Sequence, residues 1–400
     1  MGSPTVDARL IDRALDGIAQ EMIAFRRDIH AHPELAWNEV RTSAAVAEQL
    51  RRSGLAASAL PGGTGLVCDV LGGTSGPRVA LRADLDALPI DDKNDVAYRS
   101  RTPGVAHACG HDVHTAVVLG AGMGLARLAA TGDLPGRVRL LFQPAEEVMP
   151  GGALSMLQSG ALDGVQRVFA LHCDPRVDAG SVAVRDGPMT GATDLVTVRL
   201  SGPGGHTARP QLTVDVVAAL ADVVVRTPAV LSRRVDPRAG MSLVWGMIRA
   251  GSAANVIPQS GEAAGSIRTL DRVAWIAAEQ LVPQIIREIA RPYQARVEVE
   301  YIQGVPPAVN DAAATAAFRG AASAVLGPEA VRETEQSMGA EDFAWMLDRV
   351  PGVLARLGVR RPGTVDAPDL HRGDFDVDES AITCGTRVLM AATLDALRSI

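Results

Sequence analysis

His107-Ala-Cys-Gly-His-Asp-Val-His114 places three histidines, a cysteine and an aspartate within eight residues. The whole 400-residue chain holds only eight histidines and four cysteines. A core has no use for this chemistry, because valine or leucine fills the same volume without a desolvation cost. A cysteine two residues from a histidine can set a thiolate and an imidazole on one metal ion. The stretch is therefore a candidate metal centre, and the fold is read by asking what the chain sets around it.

Immediately upstream, Gly65 to Leu71 and Arg78 to Asp84 read as strands divided by a Gly-rich turn. Asp84-Leu-Asp-Ala-Leu-Pro89 then sits at a strand's carboxyl end, where open α/β sheets build their sites. Downstream, a helix of small residues from Thr115 to Ala130 leads to a strand from Arg137 to Phe142, and Gln143-Pro-Ala-Glu-Glu147 comes straight off its end. A further strand runs from Arg167 to Leu171, with His172 at its exit. Polar clusters at successive strand ends converge in space although they are distant in sequence. Nearer the N-terminus, apolar spacing predicts one amphipathic helix from Asp7 to Ile29, ended by Pro33, and a second from Thr42 to Ser53.

Near Gly187 the pattern changes. Strands at 195–200, 242–248, 261–269 and 296–301 and helices at 213–225 and 274–290 give the order β-α-β-β-α-β, the ferredoxin-like split arrangement. The sheet-and-helix pattern then resumes, with helices at 310–325, 341–347 and 380–397 and a strand at 353–357. The expected organisation is an α/β domain with a mixed central sheet flanked by helices. It is built from 1–187 and 304–400, with 188–303 inserted as a second domain.

Composition narrows the function. Aromatic residues are 3% of the chain and the net charge is −7, which argues against nucleic acid as a partner. The cysteines are widely spaced and form no disulfide framework, so a cytoplasmic compartment is expected. The first residues, Met1-Gly-Ser-Pro-Thr-Val-Asp7, show no signal peptide, and apolar runs are broken before membrane-spanning length.

Cys109, His111, His172 and His371, with the carboxylates of Glu146 and Glu147, offer mixed S, N and O donors. Such a set suits zinc, manganese, cobalt or nickel rather than calcium, and its size suggests two ions. Adjacent glutamates in an extended turn point different ways, so one can face metal and the other a water. In the inserted domain, Gly202-Pro-Gly-Gly-His206 offers His206 as a polar hand. Asn255 and Arg268 are what a substrate carboxylate asks for, and Gly339-Ala-Glu-Asp342 looks like a helix start able to meet an anion. Asp84, Asp86, Asp112, His30, His32 and His114 are read as support that orients ligands and loops.

Arg82-Ala-Asp-Leu-Asp-Ala-Leu-Pro89, His107 to His114, Gln143 to Glu147, Gly204-Gly-His206, Asn255-Val-Ile-Pro258, Gly339 to Asp342 and Leu370-His371 follow one another in order. In this the chain resembles the dinuclear metallopeptidase family of aminoacylases, hippurate hydrolases and indoleacetyl-amino-acid hydrolases, relatives of carboxypeptidase G. The resemblance implies metal-dependent hydrolysis of the amide bond of N-acyl or N-aroyl amino acids. It implies two divalent ions, Mn²⁺ or Zn²⁺ first and Co²⁺ or Ni²⁺ next, held by Cys109, His111, Glu147, His172 and His371. Cys109 takes the place of a bridging aspartate. Glu146 is the implied base and His206 the oxyanion group, with Asn255, Arg268 and Gly339 on the substrate and Asp84, Asp112 and His114 in support. The family opens its site with His-x-Asp; Arg82-Ala-Asp84 stands here instead, so Asp84 is not expected to orient such a ligand. The inserted domain is implied to act as lid and as the surface of a homodimer or higher oligomer. The alternatives are a dipeptidase or carboxypeptidase, an N-carbamoyl amino acid hydrolase, or a non-catalytic protein that binds acyl amino acids.

Overall fold

A computed structural model describes residues 7–73 and 76–400. The signal-peptide reading of 1–6 and part of the Gly-rich turn, 74–75, lie outside the described residues. The chain forms two compact units: Met1–Gly187 with Val309–Glu335 and Asp342–Ile400, and Pro188–Ala308 with Gln336–Glu341.

The first unit is built on one eight-stranded mixed sheet. Its four central strands, in the order Arg137–Gln143, Arg78–Asp84, Arg167–Asp178 and Gly352–Arg360, are all parallel. Leu66–Leu71 adds antiparallel beside Arg137–Gln143. The parallel register sets Asp84 opposite Gln143, so two of the polar clusters leave the sheet on the same side.

Helices cover the sheet, and local chemistry sets where they begin. Val40–Arg52 starts where the Glu34 carboxylate accepts the N–H groups of Arg41 and Thr42 at 2.9 and 2.7 Å. His111–Thr131 starts at Gly110, whose φ is +87°. A Cβ there would lie 2.7 Å from Cys173 Sγ, so only glycine fits both the backbone and the space. About three turns on, Gly122 lets the helix approach the sheet so closely that a Cβ would meet Leu140 Cδ1 at 2.3 Å. This helix is long and apolar enough to cross a membrane by length and composition, contrary to the reading that every apolar run is broken too early. Most of it is buried, in the same core cluster as Phe142, Phe169, Leu357 and Leu389.

Three further expectations change. The predicted N-terminal helix is two, Ala8–Ala14 and Ile18–Ala31, because Gly17 takes φ +76° between them. The strand from Arg167 continues to Asp178, so His172 lies within it rather than at its exit. The helix expected from Glu341 is only Ala344–Leu347.

The second unit has a four-stranded antiparallel sheet in the order Ser242–Ala250, Ser260–Thr269, Ala192–Ser201 and Arg296–Val305. Two 19-residue helices, Val216–Arg234 and Arg272–Ala290, pack their apolar faces on it. Each opens with an aspartate, Asp215 or Asp271, whose carboxylate accepts an N–H three residues on.

Candidate metal centre

The donor atoms of Cys109, His111 and His172 lie within 4.8 Å of one another, and so do those of Cys109, Glu147 and His371. Cys109 is common to both triads. His111, Glu146 and Glu147 form a third such group. The structure thus brings together all five residues expected to hold metal, with Glu146 beside them.

Each donor is aimed by a bond on its far side. His111 Nδ1 donates to the carbonyl of Asp86 at 2.9 Å, and His172 Nδ1 to that of Cys173 at 2.8 Å. Both imidazoles therefore turn Nε2 inward as the atom free to accept. His172 Nε2 lies 3.6 Å from Cys109 Sγ. His371 holds a left-handed backbone, φ +61°, its N–H donates to the carbonyl of Ala108 at 2.8 Å, and its Nε2 lies 3.3 Å from Glu147 Oε1.

The two glutamates leave the strand end through Ala145, at φ +53°. Asp86, fully buried, accepts the Glu146 N–H on one carboxylate oxygen and the Glu147 N–H on the other, both at 3.0 Å. A single carboxylate therefore clamps the base-bearing turn. The side chains then converge: Glu146 Oε2 is 3.9 Å and Glu147 Oε1 3.7 Å from His111 Nε2.

Among the described residues, the buried His111 Nε2 and Glu147 Oε1 make no hydrogen bond, although His371 Nε2 approaches the latter to 3.3 Å. Leaving such atoms unpaired costs roughly 1–3 kcal/mol each unless an ion or water meets them. Together with the N, S and O donor set they fit a pair of divalent ions. Burial drives the His172 ring well below the usual range, helped by Arg356, so it is the neutral ring a metal needs. At His111 burial opposes charging, but the Asp84 carboxylate and Cys109 outweigh it and hold the ring well above its usual range. Burial likewise pushes the Cys109 thiol well up. Metal loading must then displace protons from both.

Asp84, His111 and His114 also lie close enough to resemble an ion site. Their bonds say otherwise. His114 Nδ1 donates to Asp84 at 2.7 Å and its Nε2 accepts the Cys173 N–H at 2.8 Å, so neither nitrogen is open. Asp84 also takes Arg82 Nη1 at 2.7 Å and stands 3.8 Å from His111 Nε2. Burial works against its charge, and His111, His114 and Arg82 overcome that and hold it ionised. Arg82 reaches on to Gln143 and Asp342 at 2.9 Å each. Asp112 points elsewhere, taking Arg26 Nε at 2.6 Å and His30 Nδ1 at 2.7 Å, and so pins the first turn of the helix that carries His111. His32 is a correction: it is partly exposed and donates to the carbonyl of Asp28 within its own helix, away from the donors.

Glu39 is the residue the sequence did not single out. It is wholly buried, and its Oε1 accepts the N–H of Ala145 at 2.7 Å, directly before the glutamate pair. Its place in His-Pro-Glu-Leu-Ala-Trp-Asn-Glu39, five residues after Glu34, was the available signal.

In the second unit, His206 is exposed and pairs antiparallel with Val256, next to Asn255. Its Nδ1 accepts the N–H of Ala208 at 3.0 Å, leaving Nε2 outward. Asn255 is also exposed, and its carbonyl accepts the Thr207 N–H at 3.3 Å. Arg268 donates to the carbonyl of Met338 at 2.9 Å. Gly339 does not start a helix: its N–H is taken by Ser337 Oγ, and the short helix nearby begins five residues later. No helix N-terminus therefore stands at Gly339 to meet an anion.

Comparison with known proteins matches residues 80–395 to the model of peptidase family M20/M25/M40. An N-acyl-L-amino acid amidohydrolase of Geobacillus stearothermophilus is 38% identical over 300 residues, 75% of this chain and 80% of that protein. A Rhodococcus jostii protein carrying the name glutamate–cysteine ligase 2-3 is 48% identical over 374 residues, and the chain spans 46% of its length. Among solved structures, a dinuclear metal-binding M20 peptidase from Bacillus subtilis matches with TM-score 0.83 at 31% identity, over 96% of this chain and 100% of that one.

Proposed function

The chain belongs to peptidase family M20/M25/M40, and from that premise we propose that it hydrolyses the amide bond of N-acyl or N-aroyl amino acids. The observation that carries the reading is the pair of donor triads sharing Cys109, with Glu146 3.9 Å from the open nitrogen of His111. Cys109, His111, Glu147, His172 and His371 would hold two divalent ions, Mn²⁺ or Zn²⁺, which would supply polarisation of the carbonyl and a more acidic water. Glu146 takes a proton from the water as its oxygen joins the carbonyl carbon. The C–N bond breaks, and Glu146 delivers that proton to the departing amine, giving a carboxylic acid and a free amino acid. His206 donates from Nε2 to the carbonyl oxygen as negative charge grows there. Asn255 and Arg268 hold the amino acid's carboxylate.

The same reading makes the protein a cytoplasmic homodimer joined through its second unit. The strand order of that unit supports the ferredoxin-like reading of its fold. Metal-loaded protein should release free amino acid from an N-acyl or N-aroyl amino acid faster than from a dipeptide or an N-carbamoyl amino acid. A preference for either of the latter would move the substrate class, and tight binding with no product would leave a binding protein.

A further inference from the structure

Three segments of the first unit meet at the root of the base-bearing turn. Leu35 pairs with Ala87, whose N–H donates to the carbonyl of Glu34 at 2.8 Å. Glu39 Oε1 accepts the N–H of Trp37 at 3.0 Å as well as that of Ala145 at 2.7 Å. One buried oxygen therefore draws the Trp37 turn against the turn that leads into Glu146 and Glu147. Trp37 holds φ +65°, a conformation that suits glycine or asparagine and is an outlier for so large a residue. The residue is nevertheless 48% exposed. Leu35 beside it, and Val148 and Met149 directly after Glu147, are also exposed large apolar residues.

Apolar side chains left in solvent around a few convergent polar groups mark a ligand site. We propose that Leu35, Trp37, Val148 and Met149 form a rim that receives the acyl half of the substrate and favours an apolar, above all an aromatic, acyl group. The inference rests on the hydrolase reading above. With the scissile carbonyl at Glu146, the group on its carbon has this turn beside it, since Val148 and Met149 follow Glu147 directly and Trp37 is tied through Glu39 to Ala145. The amino-acid half carries a carboxylate, which apolar side chains cannot solvate. An apolar acyl half suits this rim, and a benzoyl ring on an indole gains from aromatic stacking.

The test compares N-benzoyl and N-acetyl derivatives of one amino acid on metal-loaded protein, with Trp37→Gly and Trp37→Asn. Both replacements accept the positive φ, so the turn survives. Turnover is measured directly, and binding is measured by calorimetry in a Glu146→Gln background. In both variants kcat/KM for the benzoyl substrate should fall about tenfold while the acetyl substrate changes less than about threefold, and benzoyl affinity should fall in parallel. An unchanged benzoyl-to-acetyl ratio in both turnover and binding overturns the rim. No turnover of either compound, with the benzoyl preference in binding present and lost on changing Trp37, removes the hydrolase reading and keeps the rim.

Discussion

The polar residues of the two units are held in opposite ways. In the first unit, Cys109 and His111 are buried and Glu147 nearly so, and His111 and His172 each spend their second nitrogen on a backbone carbonyl. In the second, His206 stands exposed on a short strand pair of two residues each and Asn255 exposed directly before it, with only local backbone bonds. Metal ligands must be fixed to within a few tenths of an ångström, and burial with back-bonding does this. Groups that meet a changing substrate need less. The comparison teaches that the first unit is built before ligand arrives, whereas the second offers groups whose placement its own packing does not dictate.

The contrast can be broken at several points. Exhaustive chelation should abolish activity, and added Mn²⁺, Zn²⁺ or Co²⁺ should restore it; activity indifferent to chelation would mean that the buried donors serve some other end. Glu146→Gln should cost about 10³-fold in kcat while metal content by atomic absorption stays at that of the parent. His206→Ala should lose about 10²-fold in kcat, again with full metal content. If that variant instead sheds metal, the division of labour between the units is wrong. Asp86→Ala removes both acceptors from the glutamate turn and should cost about 10- to 100-fold in metal affinity, read by competition with a chromogenic chelator. Asn255→Ala should raise KM about tenfold with little effect on kcat, which would sharpen its role as a carboxylate contact.

The donors were legible because strands advertise their ends. Apolar runs that stop at Asp84, Gln143 and near His172 place polar clusters on one edge, whatever the intervening helices do. What bonds to what was not legible. Asp86 reads as one more acid in a motif, and nothing in its neighbours says that it takes two N–H groups sixty residues away. Glu39 was hidden for the same reason. The break at Gly17 was missed because apolar spacing continues across it from Leu15 to Ile18, and a single left-handed glycine leaves that rhythm intact. Gly339 failed differently: the acidic pair after it imitates a helix start, but only four helical residues follow, beginning at Ala344.

Glu39 has a consequence for how this protein can vary. One of its oxygens serves both the Trp37 turn and the Ala145 turn. A lineage exploring new acyl groups is free to change the ring at position 37, because the side chain can be exchanged while the amide stays in place. Insertions, deletions or a proline in that turn are a different matter: they take the amide away from Glu39 and unsettle the approach to Glu146. Variants drawn from the loop should therefore fall into two groups, one altered in taste alone and one slowed on every substrate, with few in between.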